Sequence, residues 1–464
     1  MNQEKILKIN KRSFITVCVI LISFMVIVYA MTFFIGKGIY NEETMTYTPI
    51  AGTGYSFWKF ITSPIRLLGS KDGINVIVIS LFIIILGGSF NVMDQTHGIN
   101  ALINYLIAKF HNKKYLLMYI ITLFFMLFGS LFGIFEESVT LLPIIIILAL
   151  SLGWDTFTGL GMCLLAAGFG FSTALTNPFS VGLASEAMGI KVLNGIWFRL
   201  LIFILMYFIL CLFLTIHVKK IEKNPESSPS YESDKKKLEH LNNNFGIYNP
   251  KILRTYVTFF IWVLIVIIAS SILPFLQGLS IPIIAISFLI GIFICGLAIG
   301  YKFKEILKMF GSGLLSMSPA IIMLLLAGSI KFILDDAQII GTIINQLATL
   351  FKGASPIMGI LFIYATILVI QFFIGSASAK VILVIPIISI LAKEMQISQE
   401  LALLAFVFGD GYTDLIYPTN PVLLIALGMA SFSYVKWLKK TYLLQILILI
   451  ITVGILILGY YIGY

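Results

Sequence analysis

Long apolar runs broken by short polar joints set the pattern of this chain. FITVCVILISFMVIVYAMTFFI near its start and YLLQILILIITVGILILGYYIGY at its end can each cross roughly 30 Å of hydrocarbon as a helix. Uninterrupted spans fall at about 14–36, 73–93, 194–217, 253–275, 280–300, 313–334 and 442–462. Four other apolar stretches do not fit a plain span. In 115–152 the joint FGIFEES sets a glycine and two carboxylates inside apolar sequence. The piece after it, 138–152, is short of the roughly 20 residues that a straight crossing needs. A re-entrant hairpin explains both facts, since a turn at membrane depth is tolerated where protein or a water-filled cavity surrounds it. A second hairpin is expected at 356–392, with the tip GSASAK. Stretches 158–188 and 398–432 read as helices broken at 172–178 and between Gly409 and Pro421. There proline removes a backbone donor and pushes the preceding residue out of the helical region. Residues 94–114 read as an interfacial amphipathic helix, 37–72 as a loop, 336–352 as a surface segment, and 218–252 as a mobile polar linker.

The irregular pieces recur. Pro143 matches Pro386, Gly168 matches Gly411, and Thr176-Asn177-Pro178 matches Thr419-Asn420-Pro421, all at one offset of 243 residues (386 minus 143). Upstream, ALINYLIAKF at 101–110 answers TIINQLATLF at 342–351, and Gly88-Ser89 answers Gly328-Ser329. Such register marks a duplicated unit. The expected organisation is a first repeat at 1–217, a cytoplasmic linker at 218–252, and a second repeat at 253–464 with an additional span. The fold class is then an all-α polytopic membrane protein. Inverted repeats, two re-entrant hairpins and two broken helices are the architecture of secondary transporters.

Charge fixes the expected orientation. Of 464 residues 59% are hydrophobic and 11% charged, against about 25% charged in soluble domains. The net charge of +10 comes from lysines gathered in loops, which points to membrane sidedness and not to nucleic acid. Lys5, Lys8, Lys11 and Arg12, then Lys219, Lys220 and Lys223, then Lys302, Lys304 and Lys308, then Lys436, Lys439 and Lys440 all fall on one side if nine full spans, the two broken helices among them, and two hairpins are counted. That count puts the N-terminus in the cytoplasm and the C-terminus outside the cell inner membrane. Trp154, Trp197, Trp262 and Trp437 lie near span ends, as an aromatic belt would. The four cysteines sit singly in apolar sequence and the four histidines are scattered, so no metal cluster or cofactor is expected. No nucleophile–base spacing suggests an enzyme, and broken helices favour a closed alternating site over a channel.

The candidate site residues lie at the two tips and the two breaks. Glu136, Glu137 and Ser138 occupy the first tip, and Ser376 and Ser378 the second, beside Lys380. Charge at this depth costs at least about 2.5 kcal/mol per residue, so it faces the protein interior or an aqueous path. Lys380 stands at the repeat position of Glu137 (380 minus 243) and could neutralise one tip carboxylate. Asp410 and Asp414 fall in the second break. Thr176, Asn177, Thr419 and Asn420 offer uncharged donors and acceptors beside exposed helix ends, which attract carboxylates. Pro143, Pro178, Pro386 and Pro421 are assigned structural roles. Up to four carboxylates around one lysine suit a small molecule with a cationic side chain, held by Glu136 with Asp410 or Asp414.

With its two Thr-Asn-Pro breaks and its hairpin arms ending in Pro143 and Pro386, the chain resembles the ion transporter superfamily. Within it, the likeness is to the anaerobic C4-dicarboxylate carrier group and its basic amino acid antiporter-like (YfcC-like) branch. The resemblance implies a homodimer with a scaffold domain and a transport domain that moves as an elevator. It also implies arginine/ornithine antiport, with sodium-coupled C4-dicarboxylate symport as the alternative and Na+ as the candidate coupling ion. The dicarboxylate–sodium branch carries Ser-Asn-Thr at its tips, where this chain has Phe-Glu-Glu-Ser and Gly-Ser-Ala-Ser-Ala-Lys.

Overall fold

The computed structural model describes residues 11–464 apart from 42–45, 71–72, 100, 103–104, 106–112, 243–248, 274–275, 277–278, 350–354 and 376. Among the described residues nine helices are long and apolar enough to cross a membrane. The number equals that read from the pattern, but the membership differs. Lys114–Phe132 and Pro356–Phe373, the first arms of the two hairpin stretches, are of spanning length, whereas Leu142–Ser151 and Thr156–Ser172 are too short. About half of the proposed amphipathic helix at 94–114 falls outside the described residues.

The helices pack as two bodies. One contains Lys11–Phe34, Gly73–Gln95, Pro250–Ile272, Ser280–Ile299 and the 34-residue helix Phe303–Asp336. Its tightest crossing is made by glycines: a Cβ on Gly313 would stand 2.5 Å from the Gly87 carbonyl oxygen. Small residues let apolar helices approach where water gives no driving force. Asn91 fastens the same crossing by donating to the Met309 carbonyl at 2.5 Å and to Ser312 Oγ at 2.9 Å. The other body takes both hairpin stretches, both broken helices and the helices Ile196–Lys223 and Tyr434–Tyr461. Each body therefore draws on both halves of the chain. They meet where Pro421–Met429 lies along Phe303–Asp336.

Several features depart from the pattern reading. Loop 37–72 contains an antiparallel strand pair, Lys37–Asn41 with Thr46–Ile50, tied to helix Ile340–Thr349 by Tyr47 and Thr342 hydroxyls 2.9 Å apart. Trp154 and Trp437 are buried and do not belong to a lipid-facing belt, whereas Trp197 and Trp262 are exposed. The polar segment after Lys223 is not a loose linker as far as Asn242. It forms helix Tyr231–Asn242 and docks on the second body through buried Asp234. That carboxylate accepts from the Thr156 backbone N–H at 2.9 Å and from the Thr156 and Ser230 hydroxyls at 2.5 and 2.6 Å. Lys237 donates to Thr156 Oγ1 and to the Ala430 carbonyl, both at 2.8 Å. Burial pushes the Asp234 carboxyl up and the Lys237 ammonium down from their ordinary values. Composition could not reveal this strap, because its partners are distant in sequence.

Candidate functional site

The first broken helix stops where the sequence placed the interruption, whereas the second runs on past Gly409 to Tyr412. Thr156–Ser172 ends at Thr173, and the chain resumes as a helix at Pro178, which needs no N–H in the first turn. Gln399–Tyr412 passes through a short 3-10 turn, Thr413–Leu415, and resumes at Pro421. Asp410 therefore lies in the last helical turn before the second break, not inside it, while Asp414 sits in the break itself. The two helices cross closely: a Cβ on Gly411 would meet the Ser172 backbone nitrogen, and one on Gly168 would meet Leu415.

The two breaks are closed in different ways. At the first, the Ser130 carbonyl receives the backbone N–H groups of Leu175, Thr176 and Asn177 at 3.0–3.2 Å, and Ser130 Oγ donates to the Thr173 carbonyl. Thr176 Oγ1 donates to the Leu131 carbonyl, and Asn177 Oδ1 caps the resumed helix by accepting from Phe179 N–H at 2.9 Å. At the second, side chains do this work. Trp437 Nε1 donates to the Leu415 carbonyl at 2.8 Å and Tyr434 to the Ile416 carbonyl at 2.7 Å. Asn420 Oδ1 caps Pro421–Met429 by accepting from Val422 N–H at 2.8 Å, while its amide Nδ2 donates to Asp414 at 2.5 Å. Gln371 also donates to Asp414, at 2.5 Å. Lys380, fully buried in the first turn of Ala377–Glu394, pairs with Asp410. Gln371, Ser130, Trp437 and Tyr434 were not expected here; buried polar side chains in apolar helices are the signal that could have flagged Gln371.

The first tip begins at Gly133, whose φ of +70° suits glycine, and a Cβ there would press on Asn177 Oδ1. Glu136 leads into the 3-10 turn Glu137–Thr140, and Pro143 opens helix Leu142–Ser151. Glu137 and Ser138 are buried, with Ser138 Oγ donating to the Phe135 carbonyl at 2.6 Å. Glu136 is half-buried, and its carboxylate has no hydrogen bond or ion pair among the described residues. The turn Glu137–Thr140 packs on Pro421–Met429, and Ala377–Glu394 packs on Leu183–Met188, so each hairpin stretch meets the resumed helix of the other half. Thr419 is half-buried beside Asn420. Pro386 lies inside Ala377–Glu394. Ser376 lies outside the described residues, and Ser378 is described only by its place in that helix.

A family model described as "C4-dicarboxylate anaerobic carrier" (DcuC) matches residues 14–461. The chain belongs to that family. It is 30% identical over 411 residues to the Escherichia coli K12 protein named "Putative basic amino acid antiporter YfcC", covering 85% of this chain and 80% of that one. It is 26% identical over 382 residues to an uncharacterized protein of Haemophilus influenzae, covering 80% and 72%. Two solved structures align over nearly the whole length: the Alcanivorax borkumensis YdaH transporter (16% identity, TM-score 0.42, 97% and 98% coverage) and Neisseria gonorrhoeae MtrF (14%, 0.40, 95% and 94%). This DcuC-family member is thus a multi-pass membrane protein related to transporters.

Proposed function

We propose that the protein exchanges basic amino acids across the cell inner membrane, with arginine and ornithine as the pair. The observation that carries this reading is Glu136, a half-buried tip carboxylate with no hydrogen bond or ion pair among the described residues. The acids at and just before the second break are bound within the protein, Asp410 by Lys380 and Asp414 by two amides. Glu136 therefore takes the cationic side chain, in place of the shared arrangement with Asp410 or Asp414. An unpaired carboxylate at this depth is costly, and a cationic ligand relieves that cost. One-for-one exchange of two cations also moves no net charge against a potential of about 2.3 kcal/mol per 100 mV. The name of the Escherichia coli relative agrees with this choice. The family description favours a second reading, sodium-coupled C4-dicarboxylate uptake.

In the proposed cycle the hairpins and broken helices, related as inverted repeats, move as one body against the other in an elevator step, within a homodimer. Lysine-rich loops face the cytoplasm. The test is counterflow in proteoliposomes preloaded with ornithine. Arginine should enter without sodium, and Glu136→Gln should cut the rate at least about tenfold, the worth of one charge-assisted bond. Succinate uptake that requires sodium and is indifferent to arginine would replace this reading with the second.

A further inference from the structure

The two breaks share their Thr-Asn-Pro sequence, yet their unspent hydrogen-bonding capacity differs. Asn177 is fully buried; its Oδ1 caps the resumed helix, and its Nδ2 has no partner among the described residues. One turn later, the fully buried Ser180 hydroxyl is also unpartnered among the described residues. Both belong to the first turn of the helical run 178–188, whose N-terminal end attracts negative charge. At the second break the same places hold nothing to offer. The Asn420 amide is spent on Asp414, position 423 (180 plus 243) is Leu423, and the Asp414 carboxylate beside it repels an anion. Position 414 has its repeat counterpart at Phe171, and Gln371 at Phe128. The polar network that closes the second break thus has apolar residues at the equivalent places of the first.

A buried donor without an acceptor costs about 1–3 kcal/mol, and two within one turn call for a partner that comes and goes. We infer that the first break alone binds the substrate's carboxylate, through Asn177 Nδ2 and Ser180 Oγ, and that the second break contacts no substrate anion. This deepens the exchange reading and rests on it for the choice of amino acid. Gly133 lies against Asn177, and Glu136 follows three residues later, at most about 11 Å along the chain. A basic amino acid would lie between them, its carboxylate on the break and its side chain at the tip. Specificity follows, because a site with buried donors rejects an analogue that leaves them unpaired.

The test compares arginine with its decarboxylated form, agmatine, as competitors of labelled arginine uptake in proteoliposomes. Ser180→Ala removes no bond within the protein, and Asn177→Asp keeps the cap acceptor while replacing the donor with a repelling oxygen. Wild type should prefer arginine. Ser180→Ala should weaken arginine about tenfold and leave agmatine unchanged, and Asn177→Asp should abolish the preference. Equal shifts for both compounds, or no shift in either variant, would overturn the assignment. If wild type carries succinate and no arginine, the exchange reading fails by itself. The carboxylate assignment is then judged on succinate: weaker binding in Ser180→Ala upholds it, and unchanged binding removes it.

Discussion

Lys380 forms an ion pair with Asp410, with both side chains almost wholly out of contact with solvent. Removing one member of such a pair strands the other charge and costs about 3–5 kcal/mol, more than the net worth of the pair. Lys380→Met alone should therefore lower the thermal midpoint strongly. Lys380→Met combined with Asp410→Asn should recover most of the loss, which detergent-solubilised unfolding curves would reveal. Additive losses would mean that the pair is not coupled. Glu136 and Asp410 stand out in the sequence as charges inside apolar helices, Asn177 as a donor beside a helix break, and Lys380 as the repeat counterpart of Glu137. The sequence could not assign partners, since Glu137 is the repeat equivalent of Lys380 but Asp410 is its neighbour in space. Nor could it tell the two asparagines apart. Their difference is written in Gln371 and Asp414, and only packing brings those side chains to Asn420.

At the scale of elements, the breaks were legible because proline and glycine act locally, through the backbone of their own residues. The arms of the hairpin stretches were less so. Length and hydropathy cannot separate a helix that enters and returns from one that spans, and the first arms prove long enough to span. What holds the second break open as a turn is partly Trp437, whose indole N–H meets the Leu415 carbonyl. Trp437→Phe keeps most of the packing and removes that bond. It should destabilise the protein by about 1–3 kcal/mol, read as a lower thermal midpoint, and slow transport. The polar strap makes a sharper case. Asp234 stands at the start of one broken helix and Lys237 at the end of the other, each sign matched to its helix end. Asp234→Ala should free the segment, measured as faster proteolysis around Tyr231–Asn242, with the membrane helices still folded.

For the whole molecule, the body holding the candidate site is assembled from both halves of the chain, and the strap lies across the join. Lys436, near the start of the last helix, donates to the Pro229 carbonyl at 2.6 Å, adding a stitch between the halves. The strap therefore bears on biogenesis. The first half leaves the ribosome with residues 225–242 already attached, before its partner helices exist, so it carries a ready clasp for the second half. Two co-expressed fragments divided between Asn242 and Asn249 should find each other in the membrane and restore uptake. Fragments divided after Lys223, which leave the clasp on the other piece, should reassemble less well, with Asp234→Ala weakening both pairs.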